Sequence, residues 1–202
     1  MADLFEAAGF ADDAPRPLAD RLRPSSLGEV AGQDHLLAEG APLQRMIARK
    51  QFSSIILWGP PGVGKTTIAR LIAKESGLAL EQISAVFSGV AELRRVFDKA
   101  ALQRRMGKGT LLFVDEIHRF NRAQQDGFLP HLESGLITLV GATTENPSFE
   151  LNPALLSRAQ VLTLKRLDED ALEKLLRRAE AHAGRALPLT QDARASLIAM
   201  AD

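Results

Sequence analysis

The sequence predicts an α/β fold, a doubly wound five-stranded parallel sheet with helices on both faces, followed by the start of a strand-free helical lid. Three observations predict it. Strand-like segments at 55–58, 78–83, 110–116, 136–144 and 161–164 alternate with segments whose apolar residues recur at helical spacing. The runs Ile-Ile-Leu-Trp ending at Trp58 and Leu-Leu-Phe-Val ending at Val114 are continuously apolar, as strands covered on both faces require. Past Lys165 only helical spacing remains.

Taken in order, residues 1–16 are acidic and rich in Pro and Ala, which reads as a disordered tail with Leu4-Phe5 as a candidate docking motif. Segments 17–24 and 30–34 lead into the first helices. Pro42 suits the first position of a helix whose Leu43, Met46 and Ile47 share one face. The strand ending at Trp58 then runs into Gly59-Pro60-Pro61-Gly62-Val63-Gly64-Lys65-Thr66-Thr67. Ile68, Leu71 and Ile72 follow at helical spacing up to a C-capping Gly77. Strand, glycine-rich loop and helix in that order form a phosphate cradle: loop N–H groups and the helix N-terminus surround the phosphates. Lys65 supplies a charge to the β- and γ-phosphates, and the Thr66 hydroxyl goes to Mg²⁺.

Leu93, Val96, Phe97 and Ala100 mark the next helix, stopped at Gly107-Lys108-Gly109. The strand after it delivers Asp115 and Glu116 at its C-terminal end, where parallel sheets bind ligands. Asp115 suits Mg²⁺, and Glu116 suits orienting or deprotonating an attacking water. Residues 123–134 read as a single helix, kinked at Pro130, with Phe128, Leu129 and Leu132 inward. The strand in 136–144 ends in two hydroxyls, so Thr143 or Thr144 can reach the γ-phosphate or the water. A short helix from Asn152-Pro153 to Arg158 precedes the fifth strand. Asp168 caps a helix carrying Leu172, Leu175 and Leu176, and Thr190 opens another with Leu197 and Met200 inward.

Composition narrows the class. With 202 residues, 46% of them hydrophobic and 25% charged, the chain can bury an ordinary core. It has no cysteine for a disulfide or thiolate metal site. No apolar run is long enough for a membrane span and the start is unlike a signal peptide, so a soluble cytoplasmic protein is expected. Zero formal net charge argues against a globally basic nucleic-acid binder, though not against a local basic surface. Arg94, Arg95, Arg104, Arg105, Arg119 and Arg122 are candidates for one, with a solvated helix face as the plainer reading of the first four.

Together these residues resemble the AAA+ ATPases, and within them the clamp-loader-like RarA/MgsA family, related to the Werner-helicase-interacting ATPases. The segments that carry the likeness are 53–72, 83–90, 113–121, 124–131 and 141–152. The resemblance implies a DNA-stimulated ATPase that uses ATP and Mg²⁺ in replication-fork rescue, recombination and DNA repair. It implies a homotetramer, contacts with single-stranded-DNA-binding protein, and a nucleoid-associated location in the cytoplasm. By it, Leu22, Arg23, Pro24, Val30 and Gln33 belong to the segment enclosing adenine, and Thr144, with Thr143 as the alternative, is the polar sensor. Arg158 of Ser157-Arg158 serves the ATP of a neighbouring subunit. The implied layout is a tail at 1–16, an ATPase core at 17–166 and an incomplete lid at 167–202, with the tetramerising region absent. The chain is thus expected to be an N-terminal piece or truncated product that binds nucleotide and hydrolyses it weakly alone. The Asp192-Ala193-Arg194 run lacks the glycine of the family's lid sensor and is not assigned to it. The competing readings are a RuvB-like branch-migration motor, a clamp-loader subunit, or a nucleotide-gated scaffold at forks.

Overall fold

A computed structural model describes residues 17–49 and 51–201. The tail at 1–16, Leu4-Phe5 included, lies outside the described residues. In chain order the elements are α1 (Leu18–Arg21), a 3-10 turn (Leu27–Glu29), α2 (Asp34–Leu37), α3 (Pro42–Ala48), β1 (Ile55–Trp58), α4 (Lys65–Ser76) and β2 (Ala79–Ser84). They continue with α5 (Val90–Arg105), β3 (Thr110–Asp115), a second 3-10 turn (Ile117–Arg119), α6 (Arg122–Asp126), α7 (Leu129–Glu133) and β4 (Ile137–Thr143). The last are α8 (Pro147–Glu150), α9 (Pro153–Leu156), β5 (Gln160–Thr163), α10 (Glu169–Ala183) and α11 (Gln191–Ala199).

The five strands form one sheet in the order β2-β3-β4-β1-β5, every neighbouring pair parallel. Alternate residues of each strand face opposite sides, so a continuous apolar run feeds two cores. Ile55, Leu57, Leu111, Phe113, Val140 and Ala142 pack on one side with Ile68 and Ile72 of α4 and Leu43 of α3. Ile56, Leu112, Val114 and Leu139 pack on the other with Leu93, Val96 and Ala100 of α5 and Phe128. Phe113 and Phe128 are both fully buried; a side chain of that size contributes about 1.5–3 kcal/mol when removed from water. The register Trp58↔Thr143 and Ser84↔Asp115 aligns the C-terminal strand ends along one edge.

Three expectations need correction. Residues 123–134 do not make one kinked helix; the backbone divides into α6 and α7 at Gly127-Phe128. Pro130 is the reason, since it has no N–H to donate inside a helix and here occupies the first turn of α7. Leu197 and Met200 are not buried: they are 45% and 78% exposed, with Leu197 bordering a cavity that it shares with Leu172 and Leu175 of α10. α11 buries no residue of its own, because only the adjoining α10 packs against it to an appreciable extent. Third, α1 is already helical within the segment 17–24 taken to precede the helices, the first 3-10 turn lies between that segment and 30–34, and α8 is a further helix that the spacing does not mark.

Candidate nucleotide-binding site

The phosphate loop leaves the C-terminal end of β1 and closes onto α4. Gly64, the N-cap of α4, has φ 98°, a conformation that side chains resist. Gly59 has a steric reason: a Cβ there would lie 2.5 Å from the Leu164 carbonyl oxygen. Lys65 is 8% exposed, and its Nζ donates to the carbonyls of Gly59 and Pro60, each at 2.7 Å. Burial lowers the pKa of this ammonium; Glu116 and Asp115 act in the opposite direction, which places both carboxylates within electrostatic reach of the loop.

Asp115 ends β3, and Glu116 follows with φ 51°, the one non-glycine residue of positive φ among the described residues. Such a conformation costs on the order of 1–3 kcal/mol and is typical of functional sites. It turns the Glu116 side chain toward the end of β4, where the Thr144 hydroxyl donates to Oε2 at 3.4 Å. Thr143 is fully buried; its Oγ1 accepts from Glu145 N–H at 3.0 Å and lies 3.2 Å from the Glu145 carbonyl. Of the two threonines, Thr144 is therefore the one directed at the carboxylate. His118, which sequence reasoning did not single out, lies with Nδ1 3.0 Å from Thr143 Oγ1 and 3.3 Å from Glu116 Oε2. No spacing signal marks it, since its contacts depend on how the turn after β3 folds back.

Beside the loop is a cavity of about 350 Å³ with Leu22, Pro24, Val30, Gly62, Thr67 and Arg178 in its walls. Its volume and mixed walls suit a planar base and sugar. Arg23, also in the wall, is ion-paired with Asp20 at 2.8 Å. Gln33 is placed otherwise than a base-enclosing role requires. Fully buried, its Nε2 donates to the Lys165 carbonyl at 2.8 Å and its Oε1 accepts from Lys165 N–H at 3.1 Å. It pins the N-terminal segment to the chain after β5 and so supports the cavity from behind. Pro60 and Pro61 border a neighbouring cleft between the loop and α10, and Val63 is buried in the core below. Arg178 of α10 closes the far side, donating to the backbone carbonyls of Leu22 and Glu29.

Arg158 is at the other end of the sheet. It shares a depression with Ser54, Ile137 and Thr138, which lie where β1 and β4 begin, and it is ion-paired with Glu133. Its Nη1 also donates to the Ala154 carbonyl at 2.9 Å. The length of the sheet thus separates it from Lys65. Of the other candidate arginines all six are exposed, but Arg104 is engaged with the Ser134 carbonyl at 2.9 Å. No group of three His, Asp or Glu able to hold a metal occurs among the described residues. One carboxylate and one hydroxyl, from Asp115 and Thr66, match the few protein ligands Mg²⁺ takes when phosphates supply the rest. No described helix is long and apolar enough to cross a membrane.

The family model described as the Holliday junction DNA helicase RuvB P-loop domain matches residues 22–160. Replication-associated recombination protein A of Escherichia coli is 55% identical over 170 residues, which are 84% of this chain and 38% of the relative. ATPase WRNIP1 of Dictyostelium discoideum is 48% identical over 162 residues, 80% of this chain and 18% of the relative. The chain thus spans well under half the length of these relatives. Among solved structures, the Thermotoga maritima RuvB Holliday junction branch migration motor matches with a TM-score of 0.64 and 31% identity, covering 81% of this chain and 55% of that one. A variant of the same motor gives 0.66 at 30% identity, with the same coverage.

Proposed function

The chain belongs to the RuvB P-loop domain family, and we propose that it is the ATP-hydrolysing core of an AAA+ assembly that works on DNA at stalled or damaged replication forks. Its homology to the replication-associated recombination proteins A supports the fork role. The observation that carries the mechanism is the placement of Lys65, Asp115, Glu116 and Thr144 around one loop while Arg158 lies at the opposite end of the sheet. Four groups serve the chain's own nucleotide, and the fifth is presented to a neighbour's.

In this reading the base enters the cavity between Leu22, Val30 and Arg178, and the phosphates lie in the loop from Gly59 to Thr67. Lys65 exchanges its two carbonyl partners for phosphate oxygens. Thr66 and Asp115 would hold Mg²⁺, which would supply positive charge against the phosphates. Glu116 accepts a hydrogen bond from the attacking water, and Thr144 fixes the carboxylate and reports the γ-phosphate to the chain beyond β4. Arg158 of one subunit stabilises charge developing at the next, an effect worth about 10³–10⁵ in rate where such arginines are known. Residues 17–166 form the ATPase core, and the helices after it act as a lid. The assembly is a homotetramer, DNA stimulates turnover, and single-stranded-DNA-binding protein is a partner.

A RuvB-like motor is the second reading, favoured by the family model and the solved structures. The 55% identity to a recombination protein A, against 31% to the RuvB motor, supports the first. The test is turnover with forked and with four-way DNA. Stimulation by forked DNA supports the proposal; stimulation confined to four-way junctions transfers it to the motor, and no response to either removes DNA from it. Changing both Arg119 and Arg122 to Ala should lower the stimulation and flatten its salt dependence; unchanged stimulation excludes both arginines.

A further inference from the structure

We propose that His118 is a positioning residue for Glu116, holding its carboxylate from the side of the turn after β3 while Thr143 orients the imidazole. The inference rests on the ATPase reading for its functional part, and on geometry for the rest.

Glu116 stands on a strained backbone and its side chain is 31% exposed, so the backbone alone does not decide where its carboxylate points. Two groups converge on Oε2: the Thr144 hydroxyl at 3.4 Å and His118 Nδ1 at 3.3 Å. The His118 side chain is 7% exposed, and the turn that carries it is anchored by Ile117, which is fully buried in the core. A carboxylate oxygen only accepts, so an unprotonated Nδ1 at that distance would set lone pair against lone pair. Thr143 removes the ambiguity. Its single hydroxyl proton can go to the Glu145 carbonyl, 3.2 Å away, leaving Oγ1 to accept from His118 Nδ1 at 3.0 Å. The Nδ1–H tautomer bonds Thr143 and turns a positive N–H edge toward Oε2 at 3.3 Å, whereas the Nε2–H tautomer sets the Nδ1 lone pair against the carboxylate. Held at Oε2, the carboxylate keeps Oε1 as the acceptor for a water. His118 thus stands between Glu116 and the Thr143–Glu145 pair, at the start of the segment that leads through α8 and α9 to Arg158.

Two measurements test this. Nitrogen-15 histidine spectra of the nucleotide-free chain should show His118 as the Nδ1–H tautomer, and Thr143→Val should disturb it. A neutral Nε2–H tautomer would overturn the proposal, whatever the enzyme does. Under conditions where the wild type turns over, His118→Ala should lower kcat by roughly ten- to a hundredfold, the loss a displaced catalytic group produces. Affinity for a fluorescent ATP analogue and the melting temperature should stay near wild type. His118→Asn, which restores an N–H close to the Nδ1 position, should recover part of the rate. A kcat unchanged in His118→Ala, or lost equally in His118→Asn with the fold intact, would contradict positioning. Glu116→Gln separates the two claims. If it hydrolyses ATP normally the ATPase reading fails, and if it is inactive while His118→Ala is normal, only the present inference fails.

Discussion

Lys65 and Glu116 are held in ways that bear on chemistry. The Lys65 ammonium is buried, its pKa lowered, and bonded to two carbonyls of its own loop, so binding exchanges partners instead of freezing a mobile side chain. Charge-assisted hydrogen bonds are worth about 1.5–3 kcal/mol, so Lys65→Ala should weaken ATP binding by roughly ten- to a hundredfold, read by titration of a fluorescent analogue. Glu116→Gln should leave that affinity within a few-fold of wild type and abolish turnover. The gathering of Lys65, Asp115 and Glu116 near the C-terminal ends of β1 and β3 was legible, because motif spacing and strand pattern carry it. The left-handed backbone of Glu116, the choice between Thr143 and Thr144, and the part taken by His118 were not. Those depend on how β3 and β4 end side by side, which only the sheet register settles.

At the scale of elements, strands were easy to read and short helices were not. A parallel strand covered on both faces is a run of apolar residues whatever surrounds it, whereas α6 and α7 divide at a point that local periodicity does not mark. The loop between β1 and α4 tolerates little: Gly59→Ala places a methyl against the Leu164 backbone and should destabilise the fold by about 1–3 kcal/mol, measured by denaturant unfolding. The α10–α11 pair depends on charge. Arg194 binds Glu173 and Glu180, and with Arg177 it holds the Glu173 carboxyl at a pKa of about 2, well below its ordinary 4.5. A depressed carboxylate stabilises above its unfolded pKa and loses that effect as pH falls toward the folded one. Hydrogen exchange in α11 should therefore accelerate as pH drops from about 4.5 to about 2, beyond the intrinsic change in exchange rate, and Arg194→Met should remove the dependence. These groups are partly exposed, so salt should reduce the effect.

In the proposed reading the molecule supplies one half of a catalytic arrangement. Its C-terminal sheet edge gathers the loop, two carboxylates and Thr144; its opposite edge presents Arg158, ion-paired with Glu133 on the surface. Arg178 joins α10 to the N-terminal segment across the cavity beside the loop, donating to the Leu22 and Glu29 carbonyls. That helices alone follow β5 could be read from the end of the strand pattern, but the Arg178 bridge could not, since it links residues far apart in sequence. The central claim is that hydrolysis needs groups from two chains, and mixing tests it most directly. Lys65→Ala and Arg158→Ala proteins, each inactive alone, are combined over a range of ratios and ATP turnover is followed. Shared sites predict activity in the mixtures, greatest near equal amounts, because some interfaces then pair an intact Lys65 with an intact Arg158. No recovery at any ratio, or full activity of Arg158→Ala alone, would contradict the account.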